Sequence, residues 1–348
     1  MITYKTSSFV SYKDKVSESI VSWSYGKEKA LNVIAAPYSL PSMFLKIIIH
    51  FAETGKKTLY ITEEVDNNIE ILSLIKKHSS FREYSYVRNG VAPVNSTLTV
   101  SNYRNAVRIK ETYDLVIYDD ISSFPRYNNF EIMDLLTKCT NDKGKMIAFA
   151  VESVFKNQRD IVLPIRENRR PLGEPRYVLT RLDLRREIPY MVYDYLNFSV
   201  ENDRKVVIYV PSSEAVQNVF SYLCNFRSSL SRSIMYYVNG ESDDKVLYNF
   251  AKIKRTILVT NDYKDRFVSL EDTDVVVYKA DDLAFDYKSL IYFCGKAGRS
   301  DKLRASEVIF LANTESYDMD KARNIIRYFN KEAWEMGLLS FWKKAYWA

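Results

Sequence analysis

The sequence predicts an α/β protein built of two successive parallel β-sheets, each flanked by helices. Short runs of β-branched and aromatic residues alternate with amphipathic segments, which is the pattern of βαβ units. A proline- and arginine-rich stretch interrupts this alternation once, near the middle of the chain. The length of 348 residues also exceeds the usual size of one compact core. We therefore expect two domains of similar size.

The first half of the chain contains five predicted strands with helical segments between them. The helical segments are MFLKIIIHFAETG, NNIEILSLIKKHSSF and FEIMDLLTKCTN, which carry apolar residues at helical spacing. The strands are short, rich in β-branched and aromatic residues, and comprise Leu31–Ala35, Thr58–Thr62, Ser96–Val100, Leu115–Tyr118 and Met146–Ala150. This half is predicted to form one sheet, with domain bounds 1–165.

The segment IVLPIRENRRPLGEPRYV predicts an extended crossing between the domains, because it contains three prolines and a cluster of arginines. We assign the crossing to 166–200. The alternation then resumes over 201–348, with strands KVVIYV, SIMYYV, RTILVT and DVVVYK and helices SEAVQNVFSYL and DDKVLYNFA. The second domain is thus predicted to be another α/β sheet.

Composition argues against several classes of protein. Three separated cysteines without a CxxC pair and only two histidines argue against a zinc site and against histidine catalysis. No apolar run approaches the roughly 20 residues that span a bilayer, and the N-terminus lacks a secretory signal. We expect a cytoplasmic protein without membrane insertion. The net charge of +6 permits nucleic-acid binding but does not require it, because acidic and basic residues are interleaved.

Four segments occur in the order and spacing of a known ATPase family. LVIYDDISSFP resembles the Walker B segment of the late-competence DNA-uptake ATPase family ComFA, LPIRENRRPLGEP its interdomain crossing, and VVIYVPSS its motif IV. TILVTNDYKDRF and the following residues to GKAGRS are similar to its motifs V and VI. The resemblance extends from about Leu31 to about Gly337 and implies two tandem RecA-like domains of the P-loop NTPase type, as in superfamily-2 helicases. No four-cysteine module like that of the family occurs in this sequence.

The resemblance places a phosphate-binding loop within LNVIAAPYSLPSMF. A working loop needs glycine amides, a lysine and a hydroxyl that binds Mg²⁺. Here Ser39 and Pro41 replace the glycines, Ser42 replaces the lysine, and Met43 replaces the hydroxyl. Proline has no N–H donor, so the loop is predicted to be damaged in shape as well as in charge. The nearby GKKT precedes a strand, and its Gly55 is predicted to cap a helix.

The Walker B resemblance assigns Asp119 as the carboxylate that coordinates a metal, and Asp120 as the replacement of a catalytic glutamate. Aspartate is one methylene shorter, so a bound water would be displaced by about 1 Å and hydrolysis slowed about a hundredfold. A plainer interpretation is that the two acids cap a helix and lie in a solvated loop. The motif III position, Phe149 to Val151, has lost the hydroxyls of the family.

Motif VI retains Gly298 and Arg299, but Lys296 replaces its first arginine and therefore lacks the planar fork that grips a γ-phosphate. In motif V, Arg266 matches the family while Phe267 replaces a glycine. Arg299 either forms a structural salt bridge or contacts a phosphate. If ATP and Mg²⁺ bind at all, the residues implied are Ser39, Pro41, Ser42, Asp119, Asp120, Arg266 and Arg299.

The predicted path of nucleic acid is also altered. The family's Ser-Pro-Arg turn after the second strand reads Thr62-Glu63-Glu64 here, which replaces a cation by an anion beside a phosphate. Polar and basic side chains remain as candidate contacts, although several of them also suit a solvated linker: Arg104, Arg166, Arg169, Arg170 and Thr260.

The C-terminal segment EAWEMGLLSFWKKAYWA is dense in aromatic residues. Such a helix either packs on the second domain or offers an anchor to a protein partner, since exposed tryptophan and tyrosine are typical hot spots. The aromatic residues concerned are Trp334, Phe341, Trp342, Tyr346 and Trp347.

These observations predict a catalytically degenerate ComFA-like protein that has no cofactor. Its function would be to bind nucleic acid or a protein partner, such as an active paralogue, in DNA uptake or DNA handling. One alternative is a DNA-dependent ATPase with an atypical loop, in which Lys46 or Lys296 substitutes for the missing lysine. Another is a protein-interaction scaffold that does not contact DNA.

Overall fold

The computed structural model describes residues 4–65, 68–87, 96–226, 230, 233–264, 273–298 and 306–340. The chain divides into two compact units. Unit 1 comprises Met1–Arg169 with Ala333–Ala348, and unit 2 comprises Arg170–Glu332. Each unit contains one parallel sheet flanked by helices, which confirms the predicted α/β fold class.

The sheet of unit 1 has seven strands in the order β3-β4-β2-β5-β6-β1-β7, and all of their pairings are parallel. Strands β1 and β2 are buried along their whole length, as expected for a parallel sheet covered on both faces. The strands are β1 (Ala30–Ala35), β2 (Thr58–Thr62), β3 (Tyr84–Tyr86), β4 (Leu98–Ser101), β5 (Tyr113–Asp119), β6 (Thr140–Ala150) and β7 (Arg159–Leu163). All five predicted strands are present, with β4 beginning two residues later than predicted.

The described helices of unit 1 are α1 (Tyr4–Ser24), α2 (Leu45–Glu53), α3 (Glu70–His78), α4 (Tyr103–Ala106) and α5 (Asn129–Cys139), and a 3₁₀ turn (Pro41–Phe44) precedes α2. Gly55 follows α2 with a φ of 69°, and the N–H of Lys56 donates to the Phe51 carbonyl at 2.9 Å. This geometry confirms Gly55 as the helix cap, because glycine adopts positive φ without steric cost.

The sheet of unit 2 has six described strands, all parallel, in the order β10-β11-β9-β12-β13-β8. They are β8 (Pro175–Leu179), β9 (Lys205–Tyr209), β10 (Ser233–Tyr237), β11 (Thr256–Thr260), β12 (Thr273–Tyr278) and β13 (Val308–Ala312). The helices described for this part of the chain are α6 (Tyr190–Glu201), α7 (Ser213–Cys224), α8 (Lys245–Lys252), α9 (Tyr287–Lys296) and α10 (Tyr317–Glu335).

The segment predicted as an extended crossing contributes one strand to each sheet. Its first part is β7, which pairs with β1, and its last part is β8, which pairs with β13. Pro175 is tolerated because it begins an edge strand, where one side of the backbone needs no partner in the ladder.

The strand order of unit 1 places the carboxyl ends of β1, β2, β4, β5 and β6 along one edge of its sheet. In open α/β sheets this is the edge at which ligands bind. No described helix combines the length and the hydropathy needed to cross a lipid bilayer.

Candidate functional site

The loop that follows β1 uses all of its backbone N–H groups within unit 1. Positions 37 and 41 are prolines and have no N–H to offer. The N–H groups at positions 36, 38, 39 and 40 donate, respectively, to Leu163 O (3.2 Å), Ile121 O (3.1 Å), Ala36 O (3.1 Å) and Glu167 Oε2 (3.3 Å). A phosphate nest needs several amides that point outward together. This loop has none left between positions 36 and 41.

The side chains predicted at the phosphate loop are directed largely into the protein. Met43, at the place of the Mg²⁺-binding hydroxyl, is buried, and its carbonyl accepts a hydrogen bond from Ser17 Oγ of α1 at 3.0 Å. Ser39 and Pro41 are buried and Ser42 is half-buried. Lys46, the proposed substitute for the loop lysine, is half-exposed, with Nζ 3.6 Å from Glu18 Oε1 of α1.

Asp119, at the end of β5, is 1% exposed and accepts four hydrogen bonds from its own unit. Its Oδ1 accepts the N–H groups of Ile121 and Ser122, each at 2.9 Å. Its Oδ2 accepts the hydroxyl of Ser122 at 2.6 Å and the hydroxyl of Tyr60 from β2. A carboxylate offers about four lone-pair positions. Here all four are occupied by donors of the protein, so Asp119 has no lone pair left for a metal ion.

Burial raises the pKa of Asp119 above its ordinary value, and the hydrogen bonds from Ser122 and Tyr60 oppose part of this rise. The neighbouring Glu64 follows β2. Burial, together with the negative charge of Asp119, raises the pKa of Glu64 to about 8. Glu64 is therefore largely protonated at neutral pH. A proton on Glu64 limits the repulsion between these two carboxyl groups.

Asp120 is buried, and its N–H donates to the Phe149 carbonyl of β6 at 2.9 Å. The interpretation of Asp120 as a solvated loop residue is therefore wrong. The plainer interpretation also expected a helix cap here, and this is not what the structure shows. The Asp119 carboxylate caps a turn after β5, and the next helix, α5, begins only at Asn129. The described residues contain no group of three or more His, Cys, Asp or Glu side chains that could hold a metal ion.

An aromatic surface lies at the ends of β4 and β5. The rings of Tyr103 and Tyr127 are stacked, with centroids 3.7 Å apart and planes 15° apart. Arg104 is exposed and lies close enough to Tyr127 to oppose the rise that burial causes in the pKa of the Tyr127 hydroxyl. Phe130, at the start of α5, is 75% exposed. We call Tyr103, Arg104, Tyr127 and Phe130 the tyrosine surface.

The glutamates that replace the family's Ser-Pro-Arg turn are tied to this part of the molecule. Glu63 accepts the N–H of Tyr103 at 2.9 Å and pairs with Arg126 at 3.2 Å. Glu64 accepts the N–H of Glu70 at 3.2 Å, which anchors the start of α3. Both side chains therefore hold the backbone after β2 in place.

In unit 2, Lys296 is 2% exposed at the end of α9. Its Nζ donates to the Tyr263 carbonyl at 3.0 Å and lies 5.7 Å from the centre of the Tyr209 ring. Thr260 is buried, and its hydroxyl accepts the N–H of Asp262 at 2.9 Å. Both side chains are engaged within unit 2. Arg266 and Arg299 lie outside the described residues.

The arginines predicted to bind nucleic acid after β7 are not solvated linker residues. Arg166 is buried, and Arg170 is half-buried. Arg169 donates through Nε to the Leu338 carbonyl at 2.9 Å and lies over the Phe9 ring at 5.9 Å. The exposed candidate among the five is Arg104.

The C-terminal segment presents two faces in its described part. Ala333 and Leu338 pack in a cluster with Phe9 and Ile165, whereas Trp334 is 67% exposed. The other aromatic residues of this segment, Phe341, Trp342, Tyr346 and Trp347, lie outside the described residues.

Sequence reasoning missed the side chains that fill the site. Tyr60 and Ser122 bind Asp119, and Glu167 binds the loop after β1. The sequence carries a weak signal for only one of them, since a serine three residues after an aspartate can form a turn with it.

Comparison with known proteins identifies two relatives of this chain. It is 23% identical over 252 residues to the competence protein ComFA of Bacillus subtilis (strain 168), which covers 68% of this chain and 53% of that protein. It is 20% identical over 342 residues to the competence protein ComFA of Streptococcus pneumoniae (strain ATCC BAA-255 / R6), which covers 92% of this chain and 77% of that protein. The chain thus spans about half the length of the Bacillus relative. No family model matches the sequence.

Three solved structures that resemble the chain in fold are complexes with nucleic acid. They include S. cerevisiae Dbp5 bound to RNA and ADP BeF3, with a TM-score of 0.54, 10% identity, and coverage of 91% of this chain and 87% of that one. RecG bound to a three-way DNA junction has a TM-score of 0.56 and 11% identity. The match covers 94% of this chain and 46% of the RecG chain. The DUF1998 helicase MrfA bound to DNA has a TM-score of 0.52 and 13% identity. The match covers 92% of this chain and 48% of the MrfA chain. The predicted resemblance to ComFA and the tandem RecA-like fold are confirmed.

Proposed function

We propose that this chain is a helicase-like protein of DNA uptake or DNA handling that binds nucleic acid without hydrolysing ATP. Two competence proteins are its relatives, and solved helicases bound to DNA or RNA share its fold. The proposal separates two properties that a motor protein combines. The fold and a nucleic-acid surface are retained, and the nucleotide chemistry is lost.

The state of Asp119 carries the proposal that ATP is not hydrolysed. Phosphoryl transfer in this fold needs Mg²⁺ held by the carboxylate after the Walker B strand. Four donors already occupy Asp119, so binding of a metal would require breaking hydrogen bonds to a buried carboxylate. Each such bond contributes about 1.5–3 kcal/mol. The loop after β1 supports the same proposal, because its amides are not available to a phosphate.

The tyrosine surface supports the proposal that nucleic acid binds to unit 1. Unpaired bases stack on aromatic side chains whatever their identity, and arginine pairs with the backbone phosphates. Arg104 lies close to Tyr127 at the edge of the sheet where ligands bind in open α/β folds. A single strand suits this surface better than a duplex, whose bases are already stacked on one another.

Two measurements test the loss of ATPase activity. Calorimetric titration with ATP and Mg²⁺ is expected to show no binding at micromolar concentration. Phosphate release is expected to stay at the background rate, with and without single-stranded DNA. Micromolar affinity together with DNA-stimulated phosphate release would contradict the proposal.

Binding to nucleic acid is tested by fluorescence anisotropy with a labelled oligothymidine. Tyr127→Ala is expected to weaken binding about tenfold, because one base-stacking contact contributes about 1–3 kcal/mol. Arg104→Ala is expected to reduce the slope of log K against log salt concentration by about one, since one phosphate contact is lost.

Matched controls lie at the opposite edge of the same sheet. Tyr25 precedes β1 and is exposed, and Arg82 precedes β3 and is exposed. Tyr25→Ala and Arg82→Ala are expected to leave oligothymidine binding unchanged. If the control variants weaken oligothymidine binding as much as Tyr127→Ala and Arg104→Ala do, the effects reflect general charge or loss of stability and not a binding surface.

A second candidate function is a protein-interaction scaffold without DNA contact. The observation that favours it is the exposure of Trp334 beside buried Ala333. The absence of oligothymidine binding at low salt, in a folded protein, would favour this function over the first.

A further inference from the structure

The loop after β1 already holds an anion, and that anion belongs to the chain itself. The carboxylate of Glu167 accepts the N–H of Leu40 through Oε2 at 3.3 Å. Its other oxygen, Oε1, lies 2.7 Å from Nζ of Lys13 on α1. An ammonium group and a loop N–H therefore converge on one carboxylate, at the loop where the resemblance places a nucleotide's phosphates.

Helix α1 is fixed against this loop, so the position of Lys13 is not accidental. Ser17, one turn after Lys13, donates to the Met43 carbonyl at 3.0 Å in the 3₁₀ turn that follows the loop. The Lys13 side chain is only 18% exposed, and its Nζ also lies over the Phe9 ring at 5.6 Å. Its stem is thereby packed, and its charge is directed to Glu167.

A third polar group lies beside Leu40. Ser39 is 1% exposed, and its hydroxyl has no hydrogen-bond partner in the structure. A buried hydroxyl without a partner is uncommon in folded proteins. The Ser39 hydroxyl is therefore an unused hydrogen-bond donor within the same loop.

We infer that Lys13 and the Leu40 amide form an oxyanion site for a diphosphate group, and that Glu167 occupies it as an internal ligand. This inference deepens the proposed function and rests on it, because it supplies the reason why the loop excludes nucleotides. The site has kept a cation, but the cation comes from α1 instead of from the loop.

A tethered carboxylate competes strongly with free anions. An intramolecular ligand acts at an effective concentration of about 1 mM or more. A free diphosphate at lower concentration therefore displaces Glu167 only if it binds the site much more tightly. Removal of the Glu167 carboxylate removes the competitor and leaves Lys13 and the Leu40 N–H in place.

The test is a calorimetric titration of the full chain with pyrophosphate. Glu167→Ala is expected to bind pyrophosphate at least about tenfold more tightly than the unaltered protein, since the tethered competitor is gone. The double variant Lys13→Ala/Glu167→Ala is expected to lose this gain. A parallel titration with ADP distinguishes free pyrophosphate from a diphosphate carried by a nucleotide, and a gain with either one supports the site.

Removal of an acidic residue raises the net charge, so a control for general attraction is needed. Glu174 is likewise paired with a basic residue, since its Oε2 lies 3.0 Å from Nε of Arg327, but it lies in unit 2. Glu174→Ala changes the net charge equally and is expected to leave pyrophosphate binding unchanged. Glu167→Gln keeps the side-chain volume and carries the test if the alanine variant has lost its thermal unfolding transition.

Two results would overturn the inference. One is equal pyrophosphate affinity in Glu167→Ala and Glu174→Ala, and the other is an undiminished gain in the double variant. The proposed function is judged separately by phosphate release from ATP in the unaltered protein. The two experiments therefore distinguish a failure of the inference from a failure of the proposed function.

Discussion

Two neighbouring stretches at the same edge of the unit 1 sheet use their polar side chains in opposite ways. At the end of β5, Asp119 is buried and saturated with hydrogen bonds. At the end of β4, Arg104 is exposed beside the stacked rings of Tyr103 and Tyr127. Only β2 separates these two strands in the sheet. Whether a polar side chain at the end of a strand is available to a ligand therefore depends on how many hydrogen bonds it already forms within the protein.

The comparison gives a physical meaning to the loss of a motif. The resemblance places Asp119 at the Walker B position, and in the structure this carboxylate accepts four hydrogen bonds from the protein. Under the proposed function, Tyr60, Ser122 and Glu167 occupy the positions at which the resemblance to ComFA places a nucleotide and its metal ion. Four predictions test how strongly polar side chains near the end of β5, and two lysines elsewhere in the chain, contribute to the structure.

The largest expected effect is at Asp119. Asp119→Ala leaves the N–H groups of Ile121 and Ser122 buried without acceptors, which is expected to lower the free energy of unfolding by about 3 kcal/mol. Asp119→Asn keeps an acceptor for both amides, and its NH₂ group can donate to both hydroxyls, so a loss below about 1 kcal/mol is expected. Urea unfolding measures both values. Similar losses in the two variants would contradict the structural role.

The second effect concerns Glu64 and pH. Its pKa is about 8 in the folded protein, against an ordinary value of 4.5. Between these values the folded state retains a proton that the unfolded chain has released, so stability falls as pH rises from 4.5 towards 8. The free energy of unfolding is expected to fall by at most about 1.4 kcal/mol per pH unit.

Urea unfolding at several pH values between 6 and 8.5 isolates this contribution. Glu64→Gln mimics the protonated carboxyl and is expected to show a shallower fall in stability with pH. Glu53→Gln, at an exposed position at the end of α2, serves as the control and is expected to keep the slope of the unaltered protein. If Glu64→Gln has the same slope, Glu64 ionises at its ordinary pKa.

The third effect extends the comparison to unit 2. Lys296→Met keeps the stem of the side chain but removes the hydrogen bond to the Tyr263 carbonyl. We expect a loss of about 1.5 kcal/mol in the free energy of unfolding, which is typical of a bond from a charged donor. Lys245→Met, at an exposed position at the start of α8, is expected to change it by less than about 0.5 kcal/mol. If Lys296→Met does not lower the free energy of unfolding, the hydrogen bond from Lys296 to the Tyr263 carbonyl does not stabilise unit 2.

The smallest effect is expected at Lys46. Its partner Glu18 is 3.6 Å away, and both side chains are at least half exposed. Exposed ion pairs of this kind contribute about 0–1 kcal/mol, so Lys46→Ala should change stability very little. It should also leave phosphate release at background. A DNA-stimulated ATPase that depends on Lys46 would instead support the alternative of an active enzyme with an atypical loop.

Much of the fold could be predicted from the sequence, because continuous apolar runs and helical periodicity identify buried strands and amphipathic helices. Strands β1 and β2 illustrate this, since every residue in them is buried. Helix α1 was not predicted, because its serines and lysines obscure the apolar stripe of Phe9, Val16, Ile20 and Trp23. Strands β7 and β8 were obscured by the prolines and arginines between them.

The site could be predicted only in part. The substitutions at Ser39, Pro41 and Met43 indicated a damaged phosphate loop, because the chemistry needed there is known. The groups that replaced the ligands could not be predicted, since Tyr60 is 59 residues from Asp119 and Glu167 is 127 residues from Leu40. Such contacts depend on the strand order, which periodicity does not specify.

The parallel order of the unit 1 sheet also has a consequence for synthesis on the ribosome. Strand β1 pairs with β6 on one side and β7 on the other, and β7 ends at Leu163, which lies 128 residues after Ala35. At a translation rate of about 5–20 residues per second, β7 is synthesised about 6–26 s after the apolar strand β1. During that interval the nascent chain exposes an unpaired hydrophobic strand, so we expect chaperone contact to be concentrated between β1 and β7.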